Sequence, residues 1–285
     1  MAERKLSPCN ARTIANFYKG LGLDLVRNAM GRFQRKYLLL SPPWSAKQTV
    51  LNVKDQTRFR FQVRDAVDIS VLKQIYAQED YSIVRLTRSD ELFRHYESII
   101  KSGKQPLIVD CGANIGFSAA YFAEVFPGAK IVAIEPDVEN CNLARRNCNA
   151  GNVDIFQAAI ASEDKVGVVV DQGLGGWGQR VEEREGGGVK MISMNSVLTA
   201  KSYADCEPFI VKIDIEGFEK DLFSKNTDWV DRFALLIIEL HDWMLPRERS
   251  SANFLSTISK LDRDFVHLGE NAFSISNRLV RQNSE

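Results

Sequence analysis

Long hydrophobic runs, paired cysteines and a net charge are all missing from this 285-residue chain. No stretch reaches about 18 consecutive apolar residues, and the first residues lack the apolar core of a secretion signal, so a cytoplasmic protein is expected. The five cysteines (Cys9, Cys111, Cys141, Cys148 and Cys206) are odd in number and show no C-x-x-C spacing. That argues against a disulfide framework or a zinc ribbon and for reduced thiols. A formal net charge of zero removes the broad basic field expected of a nucleic-acid binder. Histidine is scarce, at three residues, and the turn after the first apolar strand reads Gly112-Ala113-Asn114-Ile115-Gly116 rather than the Gly-x-Gly-x-x-Gly expected of a dinucleotide binder.

What is present is ordinary in amount but uneven in placement. Apolar residues make up 45% and charged residues 26%, as in a globular protein. A chain this long buries about three quarters of its unfolded surface and needs no metal or disulfide to fold. Residues 1–60 hold 12 Lys or Arg against three acids, a net +9, leaving the rest of the chain at −9. Within 12–40, Ile14, Phe17, Tyr18, Leu21 and Leu25 recur at helical spacing among basic residues, which predicts one or two amphipathic helices. Gly20 and Gly22 weaken the middle, and Pro42-Pro43 ends the run. The simpler reading is a helix packed on the main domain with its basic face in water. The other is contact with an anionic membrane surface or a protein partner. The expected division is a basic, helical extension over 1–60 and one main domain over 61–285.

The main domain reads as alternating strands and helices. Leu107-Ile108-Val109 is an unbroken apolar run, as in a strand buried on both faces of a parallel sheet. A helix is expected from Phe117 to Phe126, a strand over Ile131–Ile134, a helix from Val138 to Asn149 and a strand from Val153 to Ala158. Two more apolar strands, 209–213 and 235–238, flank a helix at about 218–226. Phe265–Leu268 and Ala272–Ile275, joined by Gly269-Glu270-Asn271, form a hairpin. This order predicts a doubly wound, mostly parallel α/β sheet ending in an antiparallel hairpin. The glycine-rich stretch 171–190 around Trp177 and Arg180 reads as a mobile loop, either a lid over the ligand crevice or a plain flexible connection.

Chemistry gathers at the strand ends. Asp110-Cys111-Gly112-Ala113-Asn114-Ile115-Gly116 closes the first strand and opens a helix, where glycines admit a ligand and free N–H groups attract an anion. Asp110 would repel a pyrophosphate but suits a cationic amino-acid group. Glu135, ending the second strand before Pro136-Asp137, is placed to accept both ribose hydroxyls of an adenosine. The third strand ends in Gln157-Ala158-Ala159, small enough for an adenine slot. In a continuing strand Lys212, Asp214 and Glu216 would share one face, at a crevice mouth where such sheets bind ligands. The alternative is an ion-paired cluster capping the next helix, with Glu216 and Glu219 near its N-terminus. Glu239 and His241 share a face at the neighbouring strand end, and the imidazole suits proton transfer at neutral pH. Asp214, Glu239 and His241 also form a donor set for a hard divalent metal, the less favoured reading, and no metal site is assigned. His95 and His267 have no such setting.

Together these segments resemble the FkbM family of S-adenosylmethionine-dependent methyltransferases over roughly residues 60–275. The resemblance lies in Val-Asp-Cys-Gly-Ala-Asn-Ile-Gly-Phe-Ser at 109–118, Ala-Ile-Glu-Pro-Asp at 133–137 and Trp-Gly-Gln-Arg at 177–180. It continues in Lys-Ile-Asp-Ile-Glu-Gly-Phe-Glu at 212–219 and Ile-Ile-Glu-Leu-His at 237–241. Cys111 departs from the Val or Ile expected there. The resemblance implies a Rossmann-like methyltransferase fold, S-adenosylmethionine as donor, and methyl transfer to a hydroxyl of a small-molecule or glycan acceptor. The donor would be held by Asp110, Gly112, Asn114, Gly116, Ser118, Glu135, Pro136 and Ala158. Catalysis would fall to His241, Asp214, Glu239 and Lys212. A nucleotide-dependent oxidoreductase and a non-catalytic cofactor-binding module are the alternatives.

Overall fold

The computed structural model describes residues 11–29, 35–148, 150–171, 179–183 and 188–281. The chain divides into two compact units between Asp80 and Tyr81, beyond the end of the basic segment at residue 60. The first unit holds helix α1 (Ala11–Ala29), strands β1 (Tyr37–Leu39), β2 (Lys47–Asn52) and β3 (Arg58–Gln62), and helix α2 (Ala66–Tyr76). The three strands form an antiparallel sheet in the order β1-β2-β3. The helical reading of 12–40 therefore covers α1 only. Tyr37 and Leu38 instead bury themselves in a strand pair, opposite Asn52 and Leu51 of β2. On α1, Phe17 and Leu21 are half-buried while Ile14, Tyr18 and Leu25 are exposed. No helix of the described residues is long and apolar enough to cross a membrane.

The second unit begins with α3 (Ser89–Lys101) and β4 (Gln105–Cys111). It continues through α4 (Phe117–Val125), β5 (Lys130–Glu135), α5 (Val138–Asn147) and β6 (Val153–Gln157). Then come β7 (Ala159–Ala161), β8 (Lys165–Asp171), β9 (Gln179–Glu183), β10 (Val189–Ser193) and α6 (Met194–Thr199). The remainder is β11 (Cys206–Ile213), α7 (Glu219–Leu222), β12 (Leu235–Glu239), α8 (Ala252–Ile258), β13 (Arg263–Leu268), β14 (Asn271–Ser276) and α9 (Asn277–Arg281).

A seven-stranded sheet in the order β13-β14-β12-β11-β4-β5-β6 organises this unit. Its five strands from β12 to β6 are parallel, and β14 and β13 add an antiparallel hairpin. Ile108, Val109, Ile131, Val211 and Ile237 are wholly buried, as strands covered on both faces require. Each such side chain contributes about 1.5–3 kcal/mol of apolar burial. Asp137 caps α5 by accepting from the Asn140 N–H at 2.8 Å. The chain runs from β4 outward to β5 and β6, then returns to lay β11 on the other side of β4. The reversal of strand order between β4 and β11 opens a crevice at their carboxyl ends.

Two segments differ from the sequence reading. The helix expected at 218–226 contracts to α7, because Glu216, Gly217 and Asn226 all take positive φ and break the helical path on either side. The stretch read as a loop over 171–190 contains β9, which pairs antiparallel with β8 in a four-stranded sheet ordered β7-β10-β8-β9. The run Val168-Val169-Val170 favours that pairing over an open loop. Trp177 and the glycines beside it lie outside the described residues.

Candidate active site

The turn after β4 is stitched to its neighbours by its own backbone. Gly112 and Ala113 both donate to the Ile134 carbonyl, at 2.9 and 3.1 Å, and Asn114 donates to Glu135 Oε2 at 2.8 Å. These three N–H groups are therefore taken by the end of β5, and the helix itself starts only at Phe117. Gly112 has φ 78°, and a Cβ there would stand 1.8 Å from the Asp214 carbonyl oxygen. Gly116 has φ 88° and would meet Cys148 Sγ at 2.7 Å, so it seats α4 against α5 rather than facing a ligand.

Asp110 and Ser118 lie beneath the turn. Asp110 is fully buried and accepts from Ser118 Oγ at 2.6 Å. Lys212 Nζ lies 3.3 Å from Asp110 Oδ1 and 3.4 Å from Asp214 Oδ2, and donates to the Gly112 carbonyl at 2.7 Å. Burial alone would lower the ammonium pKa, but Tyr81, Asp110 and Asp214 hold it well above the usual lysine range. Lys212 was expected among the catalytic groups; the fold buries it as the cation that ties two strand ends together.

Above the turn lies an open crevice, lined by Gly112, Asn114, Glu135, Pro136, Ala158 and Asp214 among others. Glu135 Oε1 accepts from the Asp137 N–H and from Asn140, both at 3.1 Å, and Oε2 accepts from Asn114. Three of a carboxylate's roughly four acceptor positions are thus filled, leaving room for one hydroxyl rather than two. Burial pushes the Glu135 pKa up, against the pull of these hydrogen bonds. Asn114 Oδ1 is buried with no hydrogen-bond partner among the described residues.

Past Asp214 the crevice meets an acidic cluster. β11 stops at Ile213, so the strand alternation expected to align Lys212, Asp214 and Glu216 ends there. Glu216 instead takes φ 54° and Gly217 φ 92°, a left-handed pair that turns the Glu216 carboxylate toward β12. His241, 2% exposed, has Nδ1 2.9 Å from the buried Glu219 Oε1. Its Nε2 lies 3.6 Å from Asp214, 3.7 Å from Glu216 and 3.6 Å from Glu239. Burial would lower the imidazole pKa, but Glu219, Asp214 and Glu216 raise it to about 9. Burial and Asp214 push Glu216 up to about 8 and Glu239 to about 7, with His241 opposing both shifts.

The fold thus gathers Gly112, Asn114, Glu135, Pro136, Ala158 and Asp214 at one crevice and sets Glu239 and His241 beside it. It places Asp110, Gly116, Ser118 and Lys212 in support of the turn. Sequence reasoning missed Asn140, whose placement in the first turn of α5 after Glu135 was the available signal. It also missed Trp243, which is 74% exposed beside Glu239 in a second hollow with His267, Gly269 and Glu270.

Parallel strands with a C-terminal antiparallel hairpin, and a crevice at the point where strand order reverses, define a Rossmann-like, doubly wound methyltransferase fold. The family model of the methyltransferase FkbM domain matches residues 110–266, and the chain belongs to that family. It is similar to methyltransferase sdnD of Sordaria araneosa, at 27% identity over 164 residues, or 45% of this chain and 63% of that protein. The chain thus matches less than two thirds of that relative's length. Among solved structures it is similar to an O-methyltransferase from Bacillus cereus in complex with SAH, at 13% identity and a TM-score of 0.39. That match covers 73% of this chain and 90% of the other. A methyltransferase from Geobacter sulfurreducens matches at 18% identity and a TM-score of 0.32, covering 72% and 87% of the two chains.

Proposed function

We propose that the chain transfers a methyl group from S-adenosylmethionine to a hydroxyl oxygen of a small metabolite or sugar. One observation carries this reading: a single crevice is lined by Asn114 and Glu135 on one side and by Asp214 and Glu216 on the other. Its carboxylates suit a cationic ligand. Asn114 Oδ1, buried without a partner, fits as acceptor for the donor's ammonium group. Glu135 Oε2 keeps one acceptor position for a ribose hydroxyl, and Ala158 leaves room beside it for the adenine.

Bound there, S-adenosylmethionine supplies a methyl group on a sulfonium sulfur. The residues across the crevice serve the acceptor. Asp214, which lines the crevice, takes the hydroxyl proton as the acceptor oxygen forms its bond to the methyl carbon. The carbon–sulfur bond breaks with its electron pair left on sulfur. His241 is too deeply buried to reach the acceptor directly and acts by orienting the carboxylates around it. The acceptor approaches over Trp243, whose exposed ring offers a flat apolar face beside Glu239.

The test is calorimetry with S-adenosylmethionine, followed by transfer of a labelled methyl group to a panel of sugar and metabolite hydroxyls. Donor binding with label appearing in a hydroxyl-bearing acceptor is expected. Failure to bind the donor at all would sink the reading.

A further inference from the structure

His241 is held as a ligand is held. Its Nδ1 faces Glu219 Oε1 at 2.9 Å, and Glu219 is itself fully buried. A carboxylate only accepts, so this contact keeps the Nδ1 proton in place and turns Nε2 forward. Among the described residues no group lies within hydrogen-bond distance of Nε2. It points instead into the gap among Asp214, Glu216 and Glu239, whose nearest oxygens stand 3.6, 3.7 and 3.6 Å away. One donor atom each from Asp214, Glu216 and His241 falls within 4.8 Å of the others.

These separations lie beyond hydrogen-bond length and within the span of ligands sharing an ion. Metal–ligand bonds of about 2.0–2.2 Å put neighbouring donor atoms about 3–4 Å apart. A carboxylate behind a forward-facing imidazole is the usual outer support of a metal-bound histidine. Glu216 takes a left-handed backbone, and its carboxylate stands 3.7 Å from Nε2.

We propose that Asp214, Glu216 and His241 form a binding site for a single divalent transition cation, with Glu219 as the positioning residue behind His241. One imidazole among carboxylates fits a cation of the Mn(II) kind better than Ca(II), which takes oxygen donors, or a thiolate-seeking metal. Asp214 and Glu216 also line the crevice, so the ion would stand at the acceptor side of the donor pocket. There it would supply Lewis acidity to a hydroxyl oxygen. That purpose rests on the methyl-transfer reading; the site itself does not.

The test is Mn(II) titration of the full chain after chelator treatment, without donor or acceptor, followed by calorimetry and by loss of the free Mn(II) paramagnetic signal. A single saturable site is expected. Glu216→Gln and His241→Gln should each weaken it at least about tenfold, and Glu219→Gln about 10–100-fold. Glu216 is only half-buried, so its variant keeps the test decisive if His241→Gln does not fold. A full chain without a stoichiometric Mn(II) site overturns the proposal. So does a site equally tight in Glu216→Gln. Neither outcome depends on whether methyl transfer occurs, and a failed transfer assay leaves the titration standing.

Discussion

Gly112 and Asp214 end neighbouring strands, and the Asp214 carbonyl oxygen occupies the space into which a Gly112 side chain would project. Donor-side turn and acidic strand end are therefore packed backbone to backbone. Gly112→Ala combines that clash with a positive φ. It should cost well over about 1 kcal/mol in denaturant unfolding and weaken donor binding as the two turns part. A variant as stable as the parent would show that the contact is not rigid.

Lys212 is the buried counter-charge of Asp110. Lys212→Met leaves that carboxylate without its cation and should destabilise the fold by about 3–5 kcal/mol. Adding Asp110→Asn should restore part of the loss, since the charge left unpaired is then gone. Urea unfolding of the single and double variants reads this out, and no recovery would mean the pair is not coupled.

For Glu135, the conservative Glu135→Gln keeps the shape but exchanges a carboxylate oxygen for a donor. S-adenosylmethionine affinity should fall about ten- to a hundredfold, as expected for losing a hydrogen bond to a charged group. Unchanged affinity by calorimetry would remove the ribose role.

His95 sets a pH dependence of stability. It is buried on α3, and desolvation lowers its pKa below the ordinary 6.5, with Glu207 opposing. The unfolded chain therefore binds this proton first as pH falls. The stability linked to His95 is fully present above pH 6.5 and declines through the window between 6.5 and the lower folded value. Thermal midpoints of His95→Gln should drop less than those of the parent between about pH 7.5 and 5.5. Parallel curves would refute the assignment.

Trp243 tests the acceptor side. Trp243→Ala should raise the KM for a hydroxyl acceptor up to about tenfold while leaving donor affinity unchanged. Equal loss of both would indicate a general defect instead.

Much of this protein is written locally. Apolar runs such as Leu107-Ile108-Val109 read as strands covered on both faces, and the alternation of strands with helices predicts a parallel sheet. The turn at 110–116, Glu135 and the acidic strand ends were legible as chemistry for the same reason. Each sits where a strand stops and a ligand crevice begins.

What local pattern left undecided was direction and depth. Period-two alternation put Lys212 with Asp214 and Glu216, but β11 ends at Ile213, and Lys212 turns inward to a buried partner contributed by β4. Glu135 spends most of its acceptor capacity on the turn beside it, which only the approach of β4 and β5 reveals. The sequence by itself determined the fold class and the strand ends where charged groups collect, because burial and strand periodicity act over a few residues; the family was legible only as a resemblance of its motifs. Only the tertiary structure decided that His241 is braced by Glu219 and aimed at three carboxylates. Those contacts join residues 214–219 to 239–241, and their geometry depends on how two strand ends pack.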